Sequence, residues 1–84
     1  MTIKNLLDTI PTRQKLSIYV IQYTTEGRVH KAGYFHKNGK IHRTGKDEEI
    51  SPTLREYLET LPVARLYTFG KRFTAEIDYE NFLG

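Results

Sequence analysis

Three histidines spaced six apart, His30, His36 and His42, are the first residues whose type and spacing suggest chemistry. Imidazoles on a regular repeat invite a metal reading, but the repeat lies in a hairpin. If the chain turns at Asn38-Gly39, His36 pairs with Ile41 and Phe35 with His42, so His36 and His42 project to opposite faces. His30 and His36 would share a face about 20 Å apart along the strand. No carboxylate falls inside the segment, and three ligands cannot converge on one ion, so neither a metal nor any other cofactor is expected. The chain has no Cys, which removes disulfides, thiolate sites and cysteine nucleophiles. Ser17 lies within a strand pattern and Ser51 at a helix start, and neither stands in a Gly-x-Ser-x-Gly context. The glycines are scattered singly at turns and form no phosphate loop. Asp47-Glu48-Glu49 precedes a helix, where acids suit the dipole. No catalytic set emerges, and a non-enzymatic protein is expected.

The same histidines sit in a block of cations. Arg28, Lys31, Lys37, Lys40, Arg43 and Lys46 fall within "RVHKAGYFHKNGKIHRTGK", which holds no acid, although the whole chain carries a formal charge of only +3. Concentrated charge of one sign is evidence about partners. Exposed hairpins also carry Lys and Arg for solubility and to discourage edge pairing. The functional reading is that these six residues meet phosphates, or an acidic protein surface, with Tyr19, Tyr23, Tyr34, His30 and His36 as stacking or anchoring groups.

The elements that must position them follow from pattern and punctuation. "TIKNLLDTI" reads as a short helix capped by Thr2 and ended by Pro11. "KLSIYVIQYTT" is apolar at odd and even positions alike, which predicts a central strand covered on both sides. Glu26-Gly27 suggests a tight turn into "RVHKAGYFHK", and Asn38-Gly39 a type I′ turn into "KIHRTG", giving a three-stranded meander. Ser51 and Pro52 open a helix whose stripe is Leu54, Tyr57, Leu58 and Leu61, and Pro62 stops it. "VARLYTFGKRFTAEIDY" predicts a second hairpin turning at Gly70-Lys71, with Arg65 opposite Glu76 in a weak surface pair. The expectation is one α+β domain over residues 1–84 in the order α-β-β-β-α-β-β, an antiparallel sheet packed with helices.

With Glu26-Gly27 as the turn, Tyr19 pairs with Tyr34 and Tyr23 with His30. One face would then bear Tyr19, Tyr23, His30, Tyr34, His36 and Arg43. The other would hold Ile18, Val20, Gly33 and Phe35 beneath the Leu54/Leu58/Leu61 helix, with Lys31, Lys37 and Lys40 snorkelling from it or lying beyond its edge. A bulge at Gly27 would swap the faces of the second and third strands, and the first helix could instead lie across the tyrosines.

The helix "TIKNLLDTI", the strand "KLSIYVI", "AGYF", the Leu-rich helix and the closing strand "TAEIDY" together resemble small uncharacterised proteins encoded by phages and prophages. The basic "HKNGKIHRTGK" segment is no part of that pattern. The resemblance implies a phage or mobile-element accessory and supplies no catalytic residue. Two functions are therefore carried forward: a nucleic-acid-binding accessory, and an inhibitor or adaptor that docks the same hairpin on a protein through Tyr34, Phe35 or Arg43. No apolar run is long enough to span a membrane, and the N-terminal stretch is too short and polar for a secretory signal, so a cytoplasmic location is expected. The third and final strands lack an assured neighbour, which leaves a homodimer through a sheet edge open.

Overall fold

Two prolines set the ends of the two longer helices. In the computed structural model, which describes residues 1–83, α1 spans Ile3–Thr9 and α2 Pro52–Thr60. Each is followed by a residue in extended conformation, Ile10 (ψ 149°) before Pro11 and Leu61 (ψ 143°) before Pro62. A proline ring excludes the helical region for the residue ahead of it, so both stops are steric. The starts are capped as the sequence predicts. The Thr2 hydroxyl accepts from the Asn5 amide at 3.2 Å while Asn5 Oδ1 accepts from the Thr2 amide, and Ser51 Oγ accepts from the Leu54 amide at 3.1 Å.

Five strands form one sheet: β1 Leu16–Thr24, β2 Gly27–Lys37, β3 Lys40–Arg43, β4 Arg65–Phe69 and β5 Arg72–Asp78, in the spatial order β3-β2-β1-β5-β4. The fold is α+β, with β1 central as its two-sided apolar pattern predicts. The sheet is mixed, because β1 and β5 run parallel (Leu16 beside Phe73, Val20 beside Ile77) while the other ladders are antiparallel. The chain closes with α3, Tyr79–Phe82, a single helical turn where the sequence suggests strand up to Tyr79. The final strand β5 is enclosed, so the sheet edges are β3 and β4. The β3 edge is partly covered by the following segment, where the Ile50 amide donates to the Ile41 carbonyl at 2.9 Å.

Both longer helices lie on one face. Leu16, Ile18, Val20, Tyr34, Ile41, Ala75 and Ile77 of the sheet meet Ile3, Leu6 and Leu58 of the helices, and Leu61 just after α2, in a single core. Each such large aliphatic side chain contributes roughly 1.5–3 kcal/mol by leaving water. Among the described residues, no helix lies on the opposite face. Tyr19 and Tyr23 point to it, so α1 does not bury them.

A bulge decides which β2 residues share that open face. Val20 pairs with Ala32 but Ile21 pairs with His30, leaving Lys31 as an extra residue. The β1–β2 turn also has Thr25-Glu26 at its centre, not Glu26-Gly27, since Thr24 pairs with Gly27 and its hydroxyl accepts from the Glu26 amide. Beyond the bulge Tyr34 faces Ile18 and His36 faces Leu16, inside the core, and Phe35 faces Ser17 on the open side. The expected Tyr19–Tyr34 and Tyr23–His30 pairs are replaced by Tyr19–Gly33 and Tyr23–Arg28.

Candidate nucleic-acid interface

Pairing across the sheet orders the open face into rows. One row reads His42, Phe35, Ser17, Thr74 and Tyr67; the next carries Gly33, Tyr19, Glu76 and Arg65. Phe35 and His42 stack with centroids 5.0 Å apart at 15°, and the Tyr19 ring meets His30 edge-on at 5.1 Å. Gly33 lets this side of the face close up: a Cβ there would lie 3.0 Å from Thr44 Oγ1 and 3.4 Å from the Tyr19 ring.

Three chain segments meet at one end of this face. The start of β1 lies level with both hairpin turns, since Leu16 sits between His36 and Phe73. The segment before β1 lies beside both turns. The Gln14 side-chain amide donates to the Lys71 carbonyl at 3.1 Å, and a Cβ added at Gly39 would lie 3.9 Å from the Thr12 methyl. The Asn38-Gly39 turn is type I′, as expected, with φ 55° and 81°; Asn and Gly tolerate that left-handed backbone. Arg13, Lys15, Lys37, Lys40, Lys71 and Arg72 therefore cluster, and residues 11–15, 37–40 and 69–72 contain no acid. Between Arg13–Lys15 and the second turn lies an open cleft of about 700 Å³, lined also by Phe69, which is 81% exposed.

The far side of the open face is an internal ion cage. Glu76 is 1% exposed although it lies on the open face. Its Oε1 accepts from Arg65 Nε at 2.7 Å and from the Tyr23 hydroxyl at 3.1 Å; its Oε2 accepts from the Tyr67 hydroxyl at 2.7 Å and lies 2.6 Å from Arg28 Nη2. Arg65 also reaches Asp78 Oδ1 at 2.5 Å and lies over the Tyr23 ring. Burial alone would raise the Glu76 carboxyl, but bonds from Arg65, Tyr67 and Tyr23 and the charge of Arg28 outweigh it and hold the group below its usual range. The Arg65–Glu76 pair expected from the hairpin is present, yet its carboxylate is buried instead of lying at the surface.

The structure distributes the residues singled out from sequence as follows. Lys37 and Lys40 lie at the basic end, on the side of Phe35 and His42. They are on the open face, not on the helix-covered face that the uninterrupted register assigned them. Arg28 is committed to Glu76. Lys31, at the bulge, sits over the Tyr79 ring at 4.9 Å. Arg43 lies over the Tyr34 ring at 5.7 Å and shares a shallow depression with Lys46, Glu48 and Glu49. The six cations of the block are thus not one surface. Tyr34 and His36, 2% and 4% exposed, belong to the core and cannot offer a ring to a partner. Burial, followed by the charge of Arg55, lowers the His36 pKa, with a bond to the Gln14 backbone opposing, so the core imidazole is held neutral. Tyr19, Tyr23 and His30 are on the open face, Tyr23 tied to Glu76. Sequence reasoning passed over Arg13, Lys15, Lys71 and Arg72 because they come as two short pairs far apart in the chain, and it placed Phe35 on the wrong side. No group of His, Asp or Glu able to hold a metal occurs among the described residues. No helix among them is long and apolar enough to cross a membrane.

No protein-family model, no curated protein and no solved structure matches the chain.

Proposed function

We propose that the protein is a non-catalytic binding protein for single-stranded nucleic acid, in keeping with the phage or mobile-element accessory role that its sequence resemblance implies. The observation that carries this reading is the convergence of six cations, from three separate segments, beside an uncovered sheet face bearing Phe35, Tyr19 and His42. Lys and Arg neutralise the phosphate backbone, and the half-buried Phe35, Tyr19 and His42 rings offer surface on which bases can stack with little regard to sequence. A duplex offers no free base faces to such rings, so the single strand is the better fit.

A labelled single-stranded oligonucleotide followed by fluorescence anisotropy at increasing salt tests the reading. Lys37→Glu/Lys40→Glu and Lys71→Glu/Arg72→Glu should each weaken binding and flatten the salt dependence, by ~0.7 log unit per log unit of salt for each phosphate no longer neutralised. Lys46→Glu, beside Glu48 and Glu49, should do little. Absence of binding at low ionic strength would remove the proposal. A second reading, an inhibitor or adaptor that seats the same cations on an acidic protein, draws on the β4 edge, where Leu66 and Phe69 are exposed as apolar anchors.

A further inference from the structure

Between the rings of the open face is a slot with a small floor. Ser17 lies in the row that has Phe35 on one side and Thr74 then Tyr67 on the other, so the bulk of the row drops at its centre. The resulting pocket, about 190 Å³, is lined by Lys15, Leu16, Ser17, Tyr19, Phe35 and Thr44, with Arg72 at its rim. That is below the ~300–1,000 Å³ of sites for drug-sized ligands and suits a single planar ring system. Two aromatic walls favour a flat occupant, and the Ser17 and Thr44 hydroxyls supply hydrogen-bonding groups for a polar ring edge. No acid lines it. Lys15 and Arg72 also line the basic cleft at the sheet end, so the occupant's ring enters the slot where an attached anion would meet cations. The walls are held before anything binds, Phe35 by stacking on His42 and Tyr19 by its edge contact with His30.

We propose that this slot takes one unstacked base of a single strand, packed against Phe35 and Tyr19, with its flanking phosphate on Lys15 and Arg72. The proposal rests on the nucleic-acid reading above and adds a defined subsite to it: the face does not merely attract phosphate, it holds a base.

The test compares a single-stranded oligonucleotide with an abasic strand of the same length and charge, both titrated into isotope-labelled protein and followed by NMR and by affinity. The base-bearing strand should shift the Phe35 and Tyr19 ring resonances and bind about tenfold more tightly, within the range that stacking of one base on an aromatic ring supports. The abasic strand should shift only the cationic end. Ser17→Val, which fills the floor with a residue suited to a strand, and Phe35→Ala should each erase that tenfold difference while leaving the abasic affinity in place. Equal affinity for the two strands would overturn the base slot and leave nucleic-acid binding standing. Failure of both strands to bind at low salt would overturn both. A phosphotyrosine peptide that shifts the same rings and outcompetes the base-bearing strand would also overturn the assignment, showing that the slot is built for a protein side chain.

Discussion

Glu76 would be a minor cross-strand partner of Arg65 if its hairpin stood alone. The hairpin is legible from local chemistry, Gly70-Lys71 at the turn and alternating apolar residues on either side, and the Arg65–Glu76 register follows from it. Arg28 and Tyr23 reach the same carboxylate only because β1 and β5 lie side by side, a pairing between segments some fifty residues apart that no local pattern records. Four donors on one buried carboxylate change its energetics. Glu76→Gln keeps the shape but turns one acceptor into a donor facing Tyr67 and Arg28. The loss should be ~1–3 kcal/mol at neutral pH, less than for a fully buried pair, because both arginines are more than a third exposed and water screens them. The folded carboxyl titrates below its unfolded value, so its contribution is present above about pH 4.3 and lost as pH falls through the folded pKa. Urea unfolding of both proteins should therefore show a gap that is constant near neutrality and closes in acid. A gap independent of pH would mean that the charge of Glu76 contributes nothing.

The β2 strand shows how one residue reassigns a face. Its alternation is legible, and so are its turn into β3 and the His36–Ile41 and Phe35–His42 pairs, because Asn-Gly fixes that register locally. The bulge is not legible: Lys31 is neither Gly nor Pro, and "HKAG" carries no mark of an extra residue. What selects it is the core. An uninterrupted ladder would place Phe35 and Gly33 under the helices and leave Tyr34 and His36 in water. The bulge instead fills the helix side with Tyr34 and puts glycine where Thr44 and Tyr19 close in. Ile21–His30 and Val20–Ala32 are already adjacent pairs on β1, so removing Lys31 should join the two halves without altering either register. The Lys31 deletion is expected to fold with Tyr34 still buried and Phe35 still on the open face, giving up only the cation–π interaction with Tyr79 and some local twist. Amide spectra showing the same cross-strand contacts on both sides of the deletion would agree. A collapse of the fold, or exposure of Tyr34, would show that the bulge is needed for more than counting residues.

At the scale of the whole molecule the basic end is a cost as well as a surface. Residues 11–15, 37–40 and 69–72 are each ordinary as sequence, and the mild total charge hides what the topology does with them. Only a mixed sheet with β1 between β2 and β5 brings the start of β1 and both hairpin turns to one end. The molecule measures 37 × 30 × 26 Å, so six like charges at one end lie within about one Debye length of each other at 0.01 M salt, where that length is ~30 Å, and screening shortens it to ~10 Å at 0.1 M. Two unit charges ~10 Å apart in water repel by ~0.4 kcal/mol. Relief of the closest pairs by salt is therefore on the order of 1 kcal/mol. For a domain of this size that corresponds to a rise in Tm of roughly 4–8 °C between 0.01 and 0.15 M salt. The Glu76 cage works against this, since salt weakens attraction too, but its carboxylate is buried and less open to screening. Wild-type Tm should thus climb with salt, whereas Lys40→Gln/Lys71→Gln should start higher, gain less, and bind oligonucleotide more weakly. The opposite slope, with wild-type Tm falling as salt is added, would mean that the ion cage and not the cationic end governs the electrostatics of the fold. If the wild-type slope and the weaker binding of the double variant both appear, the charges that repel one another in the free protein are the ones a polyanion would neutralise.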